Sequence, residues 1–478
     1  PLYIDILGET SYGLVSFFAT LQSALNILGL GLSNTLRREF ASGEDTIENT
    51  VKKYKLLRSI ENIYFLLGAV IVCICAIGST SISQRWLNIE SLDSEMVASV
   101  ISLMGCSIAL QLIANLYAGC LFGLNHQVLA NIICIIWSAA KSIGVLIIIA
   151  IISQNLVFFY GWHILVDLLY LIIFRIFVLH KLNLKIKVRW RWVDFVNIST
   201  IWKYASGILF ISFIVLVNKQ LDKVVISKYL TLTELGAYNV ATTLGSLSSI
   251  IPTALYTTVF PRFTNYATTK NKIVLEKEFM QINRLVGLVL SAMGAYIAVY
   301  AIPLIQIWTR SDSYTSILGN VGTLVVLAVT VTEYQEIPYA LALANGNTKY
   351  NVIVGGIFIP IIFVSTYLGI INYGLLGAGI VYLIMMMAQT LLYEFLVYRK
   401  YLKISPVLLI LKDTIIPFVV CFGVAVISKL CIEKVTTNPI AESAFAVLMG
   451  AITLGILLIL TVKKNTRNIL IKNGGKNK

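Results

Sequence analysis

The feature that most constrains this chain is its series of long apolar runs, each about as long as a bilayer is thick. A membrane-spanning helix needs about 20 consecutive apolar residues. The runs do not alternate at a period of two, so they predict helices and not the strands of a barrel. Thirteen spans are predicted, at 11–34, 59–82, 96–122, 128–152, 157–179, 203–226, 235–258, 281–303, 315–343, 351–371, 375–398, 406–430 and 441–462.

The composition supports a lipid environment for most of the chain. Hydrophobic residues make up 58% of the sequence and charged residues 13%, whereas soluble domains carry about 25% charged residues. A water-soluble fold of this size could not bury so much apolar surface. The sequence therefore predicts an all-α, polytopic helical membrane protein.

Loop charge predicts the orientation of the helices. The net charge is +14, and the basic residues concentrate in alternate loops, as the positive-inside rule expects of cytoplasmic loops. This distribution accounts for the excess charge without a nucleic-acid partner. It places the start of the chain outside, so we expect a protein of fourteen helices whose first helix is missing from this sequence. The predicted cytoplasmic segments are 37–58, 181–203, 262–284, 399–403 and 463–478.

A weak internal repeat predicts two related halves of the same orientation. The stretch Leu7–Gly13 precedes one span and the similar stretch Leu232–Tyr238 precedes another. Repeats of this kind build transporter lobes with a pathway near the membrane midplane. We expect two six-helix lobes plus two C-terminal helices. The predicted regions are 1–180 for the first lobe (five remaining helices), 181–202 for a basic linker, 203–402 for the second lobe and 403–478 for the two extra helices and tail.

The sequence gives no support for catalysis or for a cofactor. It contains no G-x-x-x-x-G-K-[ST] phosphate loop, no H-E-x-x-H motif and no cysteine–histidine metal spacing. No loop is long enough to fold as a domain, which argues against a membrane glycan polymerase. We therefore expect a protein that is not an enzyme and that binds no metal or cofactor.

Charged residues inside predicted spans are the candidate functional residues, because charges are costly in lipid. Lys141 lies near the centre of the span 128–152, and Asp167 on the next span is positioned to be its partner. The pair either serves structure alone or lines a transport pathway. Arg175, on the same helix as Asp167, is expected to reach towards the cytoplasmic surface.

A second candidate cluster lies on the span 203–226, where Lys219, Asp222 and Lys223 interrupt the apolar sequence. Lys219 and Asp222 are spaced i,i+3 and can pair on one helix face. The cluster is either a solvated helix end or a cationic lining for a phosphate-bearing head group. If it is a solvated helix end, the cluster has no role in transport.

Glu333 and Glu336 form a third candidate, within the predicted span 315–343 and just before Pro338. On a continuous helix the two carboxylates share one face, and two like charges there suit a proton- or cation-coupling site. The alternative is a kinked helix end that water reaches.

Three stretches of the sequence are distinctive together: L-G-x-x-x-Y-G at 7–13, G-L-G-L-S-N at 29–34 followed by Arg37-Arg38, and 221–238. In their order and spacing they resemble the motifs of Wzx-type polysaccharide flippases, which move O-antigen and capsule repeat units and belong to the multidrug/oligosaccharidyl-lipid/polysaccharide (MOP) superfamily. The resemblance extends over the whole chain. The sequence departs from the family pattern in one respect: it lacks the first helix, which helps to line the cavity in that family.

The resemblance implies translocation of a glycan carried on undecaprenyl pyrophosphate across the bacterial cytoplasmic (inner) membrane. Lys141, Lys219, Lys223 and Arg37 become candidate cationic substrate contacts. Asp167, Asp222, Glu333 and Glu336 become candidates for coupling to a proton or sodium ion. The implied partners are membrane lipids and the polysaccharide polymerase with its chain-length machinery. A peptidoglycan-precursor flippase and a drug/cation antiporter of the same superfamily stay open as alternatives.

Overall fold

The computed structural model describes residues 2–41, 46–89, 92–182, 195–269 and 271–474. These residues are almost entirely helical, and their one pairing of extended backbone is an isolated parallel bridge between Asn88 and Thr231. Contacts divide the chain into two compact units, Pro1–Gly236 and Ala237–Lys478. The lobe and linker boundaries given above stay predictions.

The helices of the first unit, in chain order, are α1 (Leu2–Leu7), α2 (Glu9–Ala41), α3 (Ile47–Ser81, extended by a π turn at Ile82–Trp86), α4 (Ser94–Gly123), α5 (Gln127–Ile151), α6 (Leu156–Leu182), α7 (Phe195–Tyr229) and the start of α8 (Leu232–Ser246). Helix α4 forms the centre of this unit and packs against α2, α3 and α6. Most of its side chains are buried, so it carries polar groups that lie within the protein and not against lipid.

The second unit contains the rest of α8, a 3₁₀ turn at Leu247–Ser249, α9 (Ile250–Thr268), α10 (Lys272–Val299), α11 (Ala301–Thr309), α12 (Asp312–Leu318), α13 (Asn320–Glu333), α14 (Glu336–Ala344), α15 (Lys349–Tyr401), α16 (Pro406–Ile410) with a π turn at Leu411–Ile415, α17 (Ile416–Glu433) and α18 (Pro439–Gly474). Within it, α10 packs against α17, α18 and α13.

The prediction of a polytopic all-α membrane protein is confirmed. Eight helices of the described chain are long and apolar enough to cross a membrane, or nine if a bent pair forms one span. The predicted spans 11–34, 203–226 and 235–258 fall on α2, α7 and α8–α9, which are helical but are not among those eight. The total of thirteen stays a prediction.

The two predicted spans 351–371 and 375–398 are joined within α15 by a very tight turn. Gly374 adopts φ 58° and ψ −139°, a conformation that residues with a side chain avoid. The helices on either side then approach closely at two further glycines. A Cβ placed on Gly377 would lie 1.9 Å from the carbonyl oxygen of Gly369, so only glycine fits there.

Replacing Gly377 by Ala is therefore expected to destabilise the protein by about 1–2 kcal/mol, because the added methyl group forces the two helices apart. Gly423 lies in α17 and has open space where a Cβ would stand, so Gly423→Ala is the matched control. Thermal unfolding in detergent, followed by tryptophan fluorescence, measures both. Equal unfolding midpoint temperatures for the two variants would show that the close approach of the helices at Gly377 does not limit stability.

The single helix predicted for 315–343 is wrong. The structure places α12, α13 and α14 there, and the axes of Asp312–Leu318 and Asn320–Ala344 differ by 72°. Gly319, at φ 42°, separates α12 from α13. The turn at Tyr334–Gln335 separates α13 from α14, because the ring of Pro338 is incompatible with a continuing helix at the carbonyl four residues earlier.

One residue from each of the two repeat motifs identified in the sequence lies next to the other in the first unit. The hydroxyls of Thr10, early in α2, and of Thr233, at the start of α8, are 3.3 Å apart. Thr231 and Glu234 form a capping box: the Thr231 hydroxyl accepts from the Glu234 amide at 3.2 Å, and the Glu234 carboxylate accepts from the Thr231 amide at 2.9 Å. The motif residues thus fix where α8 begins.

Candidate functional site

A buried ion pair lies at the centre of the first unit. Lys141 Nζ, on α5, lies 3.1 Å from Asp167 Oδ2 and 3.2 Å from Oδ1, on α6. The Asp167 side chain is fully buried, and 10% of the Lys141 side chain is exposed. The predicted pairing of these residues is therefore confirmed. Their roles in binding and coupling stay predictions.

Asp167 also accepts hydrogen bonds from three neutral side chains. Trp137 Nε1, one helical turn before Lys141, donates to Oδ1 at 2.9 Å. From α4, Gln111 Nε2 donates to Oδ2 at 2.9 Å and Ser107 Oγ at 2.5 Å. The carboxylate is saturated by donors, as a buried carboxylate must be if it is to remain charged. Ser107 and Gln111 reach it because the i,i+4 spacing puts them on one face of α4.

The network extends to α2 and is enclosed by aromatic rings. Gln22 Nε2 donates to Gln111 Oε1. The Lys141 ammonium lies 5.1 Å from the centre of the Trp137 ring and 5.9 Å from that of Phe18, within the range of cation–π attraction. Tyr170 stacks on Trp137 with ring centres 4.6 Å apart. Four helices thus converge on one charge pair in a largely dry environment.

The structure places the remaining cationic candidates apart from this pair. Arg37 is exposed, and its guanidinium lies 5.0 Å from the centre of the Phe122 ring. On α7, Lys219 is exposed, Lys223 is half-buried and Asp222 is buried. The predicted ion pair between Lys219 and Asp222 stays a prediction.

The carboxylates Glu333 and Glu336 lie on either side of the turn at Tyr334–Gln335. Glu333 is the last residue of α13 and is buried, while Glu336 is the first residue of α14 and is half-buried. Tyr334 and Gln335, between them, keep right-handed helical backbone angles. That i,i+3 spacing places the two carboxylates side by side therefore stays a prediction, as does their coupling role.

A second buried charge cluster was missed by the sequence analysis. Glu61, on α3, is 3% exposed; its Oε2 lies 2.8 Å from Arg58 NH1 and its Oε1 lies 3.2 Å from Arg175 Nε. The buried Tyr117 hydroxyl donates to Oε1 at 2.5 Å. Arg175 therefore contacts Glu61, although 42% of its side chain is exposed. A carboxylate just inside the predicted span 59–82 was the signal that could have found this cluster.

Sequence comparison identifies the family. The profile of the family described as polysaccharide biosynthesis proteins matches residues 1–267, more than half of the chain. The protein belongs to this family. No curated protein sequence gives a significant match.

Structural comparison shows the fold of MOP transporters. The structure is similar to an inward closed conformation of the lipid II flippase MurJ, with a TM-score of 0.72, 15% identity and 96% of each chain covered. An inward-facing multidrug resistance MATE transporter gives a TM-score of 0.67 at 14% identity, covering 84% of this chain and 92% of the other. A MOP transporter from Pyrococcus furiosus, whose binding pocket is described as having reverse polarity, gives 0.56 at 15% identity, covering 84% and 90%.

Proposed function

We propose that this protein translocates a lipid-linked oligosaccharide repeat unit across the bacterial cytoplasmic membrane for O-antigen or capsule synthesis. The observation that carries the proposal is the family match over residues 1–267. The MOP fold supports a transport role without covalent chemistry. The substrate would be a glycan on undecaprenyl pyrophosphate, delivered to a polymerase and its chain-length machinery.

The Lys141–Asp167 pair is the candidate contact for the pyrophosphate. Without substrate, Asp167 neutralises the ammonium; an anionic head group would compete with the carboxylate for it. The drive would be an ion gradient or the membrane potential, which supplies about 2.3 kcal/mol per charge per 100 mV. Asp167, Asp222, Glu333 and Glu336 are the candidate coupling carboxylates.

The test is complementation of a strain that lacks its own repeat-unit flippase, with long-chain surface polysaccharide as the readout. Restored polysaccharide supports glycan-lipid translocation. The similarity to MurJ favours a peptidoglycan-precursor flippase as the second candidate, so a strain depleted of its precursor flippase is tested in parallel. Growth of that strain without restored surface polysaccharide would overturn the first proposal. Because the fold is also similar to that of a multidrug resistance MATE transporter, drug resistance of the strain is the third readout and tests for a drug/cation antiporter.

Glu333→Gln with Glu336→Gln is expected to reduce the dependence of transport on an ion gradient by about tenfold or more, because the neutral amides cannot exchange a proton or bind a cation as carboxylates do. Transport into vesicles with an imposed gradient, and then with the gradient collapsed, measures this. Glu442→Gln, in α18, is a control with the same chemical change. A double variant that responds to the collapsed gradient as the wild type does would reject the coupling role.

A further inference from the structure

A groove of about 510 Å³ lies in the second unit, between α10, the segment of α16 and its π turn, and the C-terminal half of α18. Lys277 and Arg284 on α10 and Lys412 in the π turn contribute three cations to its lining. Asp413 contributes a carboxylate, so positive charge is in excess. Nothing in the proposed translocation uses this groove.

The groove has a defined floor. A Cβ on Gly287 would lie 2.1 Å from the carbonyl oxygen of Asp413, so α10 contacts the backbone of the π turn directly. Asp413 itself is 4% exposed. The direct backbone contact and the buried carboxylate hold this side of the groove in a defined shape, as is usual for small-molecule sites.

All three walls meet at the predicted cytoplasmic side of the membrane. Lys277 and Arg284 belong to the predicted cytoplasmic segment 262–284, and α16 follows the predicted cytoplasmic segment 399–403. Leu458 lies near the end of α18 that leads into the basic tail. Cytoplasmic leaflets carry anionic lipids, and clustered Lys and Arg side chains at that depth attract them.

The remaining lining is mostly apolar, and some of its side chains are exposed. Seven of the twelve lining residues are Leu, Ile or Met, so the groove suits a ligand with hydrocarbon as well as charge. Leu285 is 43% exposed and Leu408 is 58% exposed. Lysine and arginine side chains bind phosphate oxygens through charge-assisted hydrogen bonds. A ligand that fits both parts has a phosphate group joined to an acyl chain.

We propose that this groove binds one anionic phospholipid of the cytoplasmic leaflet. Its phosphate contacts Lys277, Arg284 and Lys412, and an acyl chain lies along Leu285 and Leu408. The volume suits a phosphoglycerol head group and the first part of a chain, whereas a pyrophosphate bearing several sugars is much larger. The bound lipid is thus distinct from the cargo of the proposed translocation.

The experiment is native mass spectrometry of the purified full chain titrated with phosphatidylglycerol, and separately with phosphatidylcholine of the same acyl chains. We expect one tight site for phosphatidylglycerol, and binding about tenfold weaker or worse in a triple variant with Lys277, Arg284 and Lys412 each changed to Gln. The control changes Lys272, Lys349 and Lys403 to Gln. It removes the same charge from exposed residues outside the groove and should bind as the wild type does.

Further arms identify the ligand chemistry. Leu408→Trp, which keeps all three cations and narrows the apolar wall, should also weaken phosphatidylglycerol binding several-fold. Any of four results would overturn the proposal: an equal loss in both triple variants, equal binding of phosphatidylcholine, equally tight binding of inorganic phosphate alone, or tighter binding of undecaprenyl pyrophosphate. The last would assign the groove to the cargo.

Discussion

Replacing Lys141 by Met, or Asp167 by Asn, is expected to lower the free energy of unfolding by about 3 kcal/mol, whereas the double variant, which leaves no unpaired charge, is expected to lose clearly less than either single variant. Each single change leaves one buried charge without its partner. In the Met variant the fully buried Asp167 carboxylate loses its cation. In the Asn variant the ammonium loses its counter-ion and keeps the rings of Trp137 and Phe18.

Asn is chosen at position 167 because the three neutral donors remain. The amide oxygen of Asn can still accept from Gln111 and Ser107 if it takes the place of Oδ2, or from Trp137 if it takes the place of Oδ1. An apolar residue would leave all three donors unpaired at further cost. Unfolding in mixed micelles, followed by tryptophan fluorescence, completes the double-mutant cycle. Lys181→Met, an exposed position in the last turn of α6, is the control. Additive losses in the double variant would show that the pair contributes no coupling.

Transport by the double variant distinguishes the two proposed roles of this pair, which are a structural role alone and contact with the pyrophosphate. If the pair serves structure alone, surface polysaccharide should recover together with stability. If Lys141 contacts the pyrophosphate, the stable double variant should still transport at least tenfold more slowly than the wild type, and this is the result we expect. Surface polysaccharide at wild-type level, with normal protein abundance, would remove Lys141 from the binding site.

The sequence was sufficient to predict the helices and this ion pair, because both follow from the free-energy cost of placing polar groups in lipid. Apolar length alone predicts a span. A lysine in mid-span needs a counter-ion, and Asp167 was the nearest candidate along the chain. The donors around Asp167 were less accessible to prediction, because Ser107, Gln111 and Trp137 come from two helices whose relative rotation the sequence does not specify.

The errors have equally physical causes. The predicted helix 315–343 failed because one glycine in a positive-φ conformation redirects the backbone and one proline interrupts the helix, while the side chains remain mostly apolar. Hydropathy records side chains and not backbone direction, so it does not detect such bends. Glu61 was missed because it follows a basic loop closely, and a charge near a span end is usually assigned to the membrane surface. Tertiary contacts bury it instead.

The Glu61 cluster provides the second large effect. Replacing Glu61 by Gln is expected to lower the free energy of unfolding by about 2–3 kcal/mol. That is less than the full effect of breaking a buried pair, because Arg58 and Arg175 keep 25% and 42% of their side chains exposed and remain partly hydrated. The change removes a buried negative charge that joins α3 to α6 and accepts a hydrogen bond from Tyr117 on α4.

A matched control and a second variant make this prediction specific. Glu48→Gln, at an exposed position in the first turn of α3, makes the same chemical change outside the cluster and should alter stability by less than about 0.5 kcal/mol. Tyr117→Phe keeps the carboxylate and should cost about 1 kcal/mol through one hydrogen bond. If Glu61→Gln unfolds at the same denaturant concentration as Glu48→Gln, the two arginines do not depend on Glu61. In that case α3 and α6 are joined by apolar packing alone, since Leu57, Ile60 and Phe174 belong to one buried cluster.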